Sequence, residues 1–209
     1  HNVYATPSNR ILAVGGTGAS MPRITKKRGE LSNRHGIPEE VLTAAGNPKG
    51  DQLGFFESWV GDQIICRETT WTAQHPEVKA GGMQFFQMLD AVYRSELADE
   101  YAEQLAEVEK IPPELRLTEV FTTVTVNKNL RTFPHRDAGD LKAGTGVMAT
   151  LGNFAGGYLA FPEYGVAVDY QPGDILLADV HLLHGNFRLS GERVTAILYA
   201  REDMHLCPR

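Results

Sequence analysis

Between residues 81 and 108 the apolar positions Leu89, Val92, Tyr93, Leu97, Tyr101, Leu105 and Val108 recur at steps of three and four. That spacing predicts one long helix with an apolar face, and acidic residues fill the opposite side. Ile111-Pro112-Pro113 is predicted to close it, because proline cannot continue a helix. Ahead of it, a short strand is predicted over 11–14 and a short helix over 38–45, with Pro38 in its first turn. From residue 118 the texture changes to short β-type runs separated by Gly, Pro and Asp. Strands are predicted over 119–126, 131–137, 146–151, 157–161, 166–170, 175–180, 183–187 and 193–200. Many short strands behind a helical half make an α+β fold, a two-sheet barrel or jelly roll buttressed by N-terminal helices.

No internal repeat or long linker divides the chain, and 209 residues with 42% hydrophobic and 22% charged positions suit one domain with a real core. No stretch approaches the roughly 18 apolar residues that cross a bilayer, and the first residues lack a signal-peptide profile. The expectation is a soluble intracellular protein with no membrane partner, and His1, with no Met before it, reads as a remnant of cloning. Cys66 and Cys207 lie far apart in sequence and show no zinc spacing, so neither a disulfide nor a structural zinc site is predicted. The net charge of −6 speaks against a polyanionic partner, but seven acids against Arg94 and Lys110 over 87–110 account for −5 of it. Over 21–35, by contrast, Arg23, Lys26, Lys27, Arg28 and Arg34 oppose Glu30 alone. Such a run is usually a solvated loop, and it is also the one candidate for gripping a phosphate backbone.

The chemistry gathers in the β half. His135-Arg136-Asp137 places two ligand-type side chains at i and i+2, which an extended chain sends to one face. Alone the tripeptide is a weak signal. A third ligand is available downstream, in the Gly173-Asp174 turn and the run Asp179-Val180-His181-Leu182-Leu183-His184-Gly185-Asn186. Two His and one carboxylate with open positions form the facial triad of non-haem Fe(II) oxygenases. The rival His75-Pro76-Glu77 sits in a predicted loop. Arg193 and Thr195 open the last strand on one face, and a fixed guanidinium beside a hydroxyl suits the far carboxylate of a dicarboxylate cosubstrate.

This ordered set resembles the Fe(II)- and 2-oxoglutarate-dependent dioxygenases, and within them the TET/JBP group that oxidises the 5-methyl group of pyrimidines in nucleic acid. The narrower likeness rests on Thr125-Val-Asn127-Lys-Asn129, on Arg131-Thr-Phe-Pro-His135-Arg-Asp137-Ala-Gly139-Asp140, on Gly156-Gly157-Tyr-Leu-Ala-Phe-Pro162-Glu-Tyr164-Gly165, and on Asp179 to Asn186. It covers about 118–202 and is similar to the thymidine hydroxylase domain of the J-base-binding proteins; nothing diagnostic lies in the first 117 residues.

The resemblance implies a double-stranded β-helix in a single dioxygenase domain over 1–209. In it, 1–117 would supply helical support and a nucleic-acid-contacting arm, and 118–202 the catalytic core. His135, Asp137 and His184 would ligate Fe(II), with His184 preferred over His181 by its ten-residue reach from Asp174. Arg193 would bind the distal carboxylate of 2-oxoglutarate, with Thr195 assisting and Asn127 near it. Asn129, Arg131, Asp140 and His181 are candidates for lining the substrate pocket. The implied reaction consumes 2-oxoglutarate and O₂ and hydroxylates the methyl group of 5-methylcytosine or thymine in DNA. The target would be single-stranded or a flipped base, because a stacked pyrimidine cannot reach such a site. The alternative is a 2-oxoglutarate-dependent hydroxylase of a small molecule, an amino acid or natural-product intermediate. A monomer is the default expectation, in a bacterial or phage-infected cytoplasm or a eukaryotic nucleus.

Overall fold

A computed structural model describes residues 2–5, 26–27, 30–31 and 49–208. The strand over 11–14, the helix over 38–45 and the basic residues Arg23, Arg28 and Arg34 lie outside the described residues. Lys26 and Lys27 fall in a two-residue strand paired with Glu30 and Leu31.

In chain order the strands are β1 (Asn2–Ala5), β2 (Lys26–Lys27), β3 (Glu30–Leu31), β4 (Lys49–Val60) and β5 (Gln63–Glu68). Helices α1 (Thr70–Gln74), α2 (Pro76–Glu96) and α3 (Ala98–Val108) follow. After them come β6 (Thr123–Lys128), β7 (Gly146–Gly156), β8 (Leu159–Phe161), β9 (Val166–Asp169), β10 (Ile175–Ala178), β11 (Gly185–Asn186) and β12 (Leu189–Tyr199). A six-stranded antiparallel sheet runs β10-β7-β12-β6-β4-β5, and a four-stranded sheet runs β1-β9-β8-β11. The expected two-sheet barrel with helices on one side is therefore present, in the α+β class.

Period-two alternation decides what each face of the large sheet does. Val147 and Ala149 of β7, Ala196 and Leu198 of β12, Val124 of β6 and Leu53 of β4 pack with Phe86, Leu89 and Tyr93 of α2. The intervening residues Met148 and Ile197 pack with Leu159 and Tyr170 inside the barrel. Helices therefore cover the outer face, and the space between the two sheets lies on the inner one.

Four expectations are corrected. The single helix over 81–108 is two, because Leu97 leaves helical geometry (φ −135°, ψ 65°), its N–H closing the last turn onto the Tyr93 carbonyl. The break redirects α3 so that Tyr101 joins the core, and Asp99 and Glu100 favour the new N-terminus electrostatically. Residues 131–137 form no strand; Pro134 lacks an N–H, and the segment meets 180–186 through a bridge from His135 to His184 and single backbone bonds at Thr132 and Asp137. The first 117 residues supply strands as well as helices: β1 pairs with β9, and the β4–β5 hairpin extends the large sheet. Finally, Cys66 and Cys207 form a disulfide, since that hairpin and the C-terminal turn bring their Cα atoms to 5.9 Å despite 141 residues between them. No helix among the described residues is long and apolar enough to cross a membrane.

Candidate metal and cosubstrate site

His135 and His184 face each other through a reciprocal pair of backbone hydrogen bonds, each N–H donating to the other's carbonyl at 2.9 Å. Gly185 permits this approach, because a Cβ there would stand 2.8 Å from the nitrogen of Pro134 and 2.9 Å from the Phe133 carbonyl carbon. The Asp137 N–H donates to the Val180 carbonyl at 3.1 Å, holding the rest of the His-x-Asp segment against the same loop.

The two imidazoles are oriented alike. Nδ1–H of His135 donates to the Phe133 carbonyl at 2.7 Å, and Nδ1–H of His184 to that of Leu182 at 2.8 Å. A carbonyl can only accept, so each Nδ1 carries a proton and each Nε2 is the atom left to face a metal, which on binding would displace any proton that His135 shares with Asp137. Those nitrogens converge on the Asp137 carboxylate, at 3.1 Å from His135 and 3.8 Å from His184. The three ligand atoms lie within 4.8 Å of one another, the only such group of three among the described residues. Burial alone would lower the His135 imidazole, but the adjoining Asp137 carboxylate outweighs it and raises the pKa; burial prevails at His184 and lowers it. Two imidazoles and a carboxylate, oriented by backbone acceptors behind them, are a preorganised set for a divalent metal.

Arg193 is buried on the inner face of β12. Its guanidinium donates to the carbonyls of Gly157 at 2.8 Å and Leu130 at 3.0 Å and lies 5.7 Å from the ring centres of Phe154 and Tyr170. No carboxylate among the described residues pairs with it, and burial pulls its pKa below the usual guanidinium value. A buried cation without a counter-anion is costly and calls for an anionic ligand. Gly157 makes the room, since a Cβ there would come within 2.6 Å of Nη1. Thr195, also buried, lies two residues along the same face, with Asn127 of β6 beside it in register.

The other predicted residues separate. Asn129 adopts a left-handed φ of 54° and its amide oxygen accepts the Arg193 N–H at 2.8 Å, so it holds the strand that carries the arginine. Arg131 donates from Nε to the Asn186 carbonyl at 3.3 Å and stacks near Phe133. His181 lies outside the metal group: its Nδ1 is held by Asp179 at 2.9 Å, and its Nε2 meets the Asp140 carbonyl at 3.3 Å. Asp140 itself makes no side-chain hydrogen bond among the described residues. Burial and the Asp137 carboxylate push it up to about 7, against the pull of Arg201 and His181. Its loop is pinned by Leu141 N–H to the Ala200 carbonyl and Glu202 N–H to the Gly139 carbonyl. Arg201 is locked onto buried Glu57, with Nε and Nη2 at 2.6–2.9 Å from both carboxylate oxygens. His75 stands at the N-cap of α2, where its side chain pairs with Glu77 and packs against the Trp71 ring.

Sequence reasoning did not single out Glu57, or the roles of Gly157 and Tyr170. The Gly156-Gly157 pair was the visible signal, a double glycine beside the strand that carries Arg193.

Residues 58–202 match the family model Tet_JBP, the oxygenase domain of the 2OGFeDO superfamily. The chain belongs to this family. Among its relatives is the thymine dioxygenase JBP1 of Trypanosoma brucei brucei, 36% identical over 159 residues, a match covering 75% of this chain and 19% of the relative. The bifunctional helicase and thymine dioxygenase JBP2 of Trypanosoma brucei brucei (strain 927/4 GUTat10.1) is 38% identical over 179 residues, covering 79% and 16%. The chain thus spans about a fifth or less of the length of these relatives. A solved Tet_JBP-like fold, NgTET1 in complex with 5mC DNA, superposes with a TM-score of 0.62 at 16% identity, covering 81% of this chain and 67% of that one. Membership of the family accounts for the double-stranded β-helix, whose fold that likeness shows.

Proposed function

We propose that this chain is a Fe(II)- and 2-oxoglutarate-dependent dioxygenase acting on the 5-methyl group of a pyrimidine in DNA, with thymine the first choice. The observation that carries the reading is the pairing, in one barrel, of a convergent His135–Asp137–His184 group with a buried, anion-free Arg193. The residues fit both partners: two Nε2 atoms and a carboxylate suit Fe(II), and an unpaired guanidinium with Thr195 suits a distal carboxylate. Iron and cosubstrate, once bound, supply the oxidising chemistry. The chain's own contribution is positional. The carbonyls of Phe133 and Leu182 hold the imidazole protons at Nδ1, and Phe154 and Tyr170 keep the cosubstrate end dry. We take Asp140, whose carboxyl makes no hydrogen bond among the described residues and feels the Asp137 carboxylate, as the candidate for meeting the C4 edge of the target base, where thymine and 5-methylcytosine differ.

The relatives named thymine dioxygenases favour thymine, and a base must be flipped or single-stranded to reach the site. We assign the basic run Arg23 to Arg34 to the phosphate backbone, the whole chain to one domain and one working copy, and the compartment to wherever the DNA resides. The test loads the protein anaerobically with Fe(II) and 2-oxoglutarate, admits O₂, and measures succinate and hydroxymethyl product. Thymine-containing DNA, 5-methylcytosine-containing DNA, nucleosides and free amino acids are compared. Product from thymine-containing DNA is expected; turnover of amino acids alone would replace the nucleic-acid reading with a small-molecule one.

A further inference from the structure

Thr150 sits in the middle of β7 with no solvent exposure, and its hydroxyl has no hydrogen-bond partner among the described residues; the Tyr93 hydroxyl, in the helix-facing core, is the other such atom. Buried hydroxyls are nearly always paired, and an unpaired one costs stability that a methyl of the same shape would not. Thr150 is directly opposite Thr195 in the β7–β12 ladder, and residues opposed in this way share a face. It therefore points to the inner side of the sheet with Thr195 and Arg193.

The neighbouring rungs confine the polar patch. Arg193 stands opposite Gly152, which has no side chain, and Gly157 leaves the space beside its guanidinium. On the other side Ile197 faces Met148, an apolar rung that packs with Leu159 and Tyr170. What remains on β7 and β12 is one guanidinium and two hydroxyls, on the inner face and within two rungs of each other, with Asn127 of β6 next to Thr195. A carboxylate has about four acceptor sites. An arginine fork fills two and two hydroxyls can fill the rest, with one positive charge balancing one negative.

We infer that Thr150 is a third anchor for the distal carboxylate of the cosubstrate, its hydroxyl donating to that carboxylate opposite Thr195. This rests on the assignment of Arg193 to the same carboxylate, and it gives the Thr150 hydroxyl a partner that the described residues do not supply.

The test uses Thr150→Val, Thr150→Ser and Arg193→Lys, loaded anaerobically with Fe(II), titrated calorimetrically with 2-oxoglutarate and with oxalate. Oxalate offers a metal a two-oxygen chelate of the same ring size, through two carboxylates rather than a carboxylate and a ketone, and has no distal carboxylate. Thr150→Val is expected to weaken 2-oxoglutarate about tenfold and leave oxalate unchanged, while Thr150→Ser restores most of the affinity. The melting temperature of the ligand-free Thr150→Val protein should equal or exceed the parent's, since an orphan hydroxyl has been removed. Unchanged 2-oxoglutarate affinity in Thr150→Val, with affinity lost in Arg193→Lys, overturns the role of Thr150 alone. A fall in ligand-free melting temperature that accompanies equal losses for both ligands overturns it too, by making the hydroxyl structural. If neither Arg193→Lys nor Thr150→Val changes 2-oxoglutarate binding, the cosubstrate site lies elsewhere and both assignments fall.

Discussion

Along β12, Ala196 and Leu198 turn toward the helices while Arg193, Thr195 and Ile197 turn toward the small sheet, and β7 divides Val147 and Ala149 from Met148 and Thr150 in the same way. Both faces are buried, yet they are built to different rules. The outer face is built of apolar contacts and closes against Leu89 and Tyr93, leaving one buried hydroxyl, that of Tyr93, without a hydrogen-bond partner among the described residues. Among the described residues, the inner face carries a guanidinium without a counter-anion, the unpartnered Thr150 hydroxyl and two imidazoles whose Nε2 atoms converge on Asp137. Stability alone would select against each of these features, because unpaired buried polar groups cost free energy. The charged and ligand-type groups gather on the inner face, which supports the proposal that this face binds, whereas the outer face carries only the Tyr93 hydroxyl unpartnered and no ligand-type group in its cluster.

The largest effect should come from deleting a metal-facing imidazole. His184→Ala is expected to weaken divalent metal binding by more than about a hundredfold, measured by calorimetry with Fe(II) under anaerobic conditions. His181→Ala should stay within about threefold of the parent, because the His181 ring is occupied by Asp179 and the Asp140 carbonyl. The reverse pattern would move the metal to His181. Leu89→Ala tests the other face: it should lower unfolding stability by about 2–5 kcal/mol in denaturant titration, the range for a truncated core leucine. The folded fraction should bind 2-oxoglutarate normally. Altered cosubstrate affinity there would mean that the two faces are coupled through the sheet.

Much of this division was legible beforehand. The run of short strands after residue 118 is present, and His135, Asp137 and His184 stand together while His181 stands apart. Their signals are local or fixed by short spacings. The β4–β5 hairpin was missed, although Gly61-Asp62 between the alternating runs ending in Trp59-Val60 and starting Gln63-Ile64 was a readable turn. The break at Leu97 was hidden because apolar spacing continues across it, and the disulfide because contact between residues 66 and 207 is purely tertiary. Thr150 was illegible for a subtler reason. Alternation assigns the polar residues of a strand to solvent, and only the second sheet turns that face into an interior.

The smallest effect sharpens the comparison most, because it reads the electrostatics of the inner face directly. In an unfolded chain Asp140 titrates near ~3.9. Burial and the Asp137 carboxylate raise it to about 7 in the folded protein. The folded state therefore holds this proton more tightly, so the resulting stabilisation is complete below about pH 4 and is lost as the pH rises toward 7. Above that, the metal-free protein carries a half-buried carboxylate that faces Asp137, with Arg201 already committed to Glu57. Asp140→Asn removes the liability without changing shape. It should match the parent at pH 4 and exceed it by about 1–2 kcal/mol at pH 8, read from denaturant midpoints of metal-free protein. Adding a divalent metal, which neutralises Asp137, should shrink the difference, whereas no outer-face substitution should respond to pH in this way. Equal stability of parent and variant at pH 8 would mean that Arg201 turns from Glu57 to Asp140 in solution, and the base-facing position would then have to be sought elsewhere on the inner face.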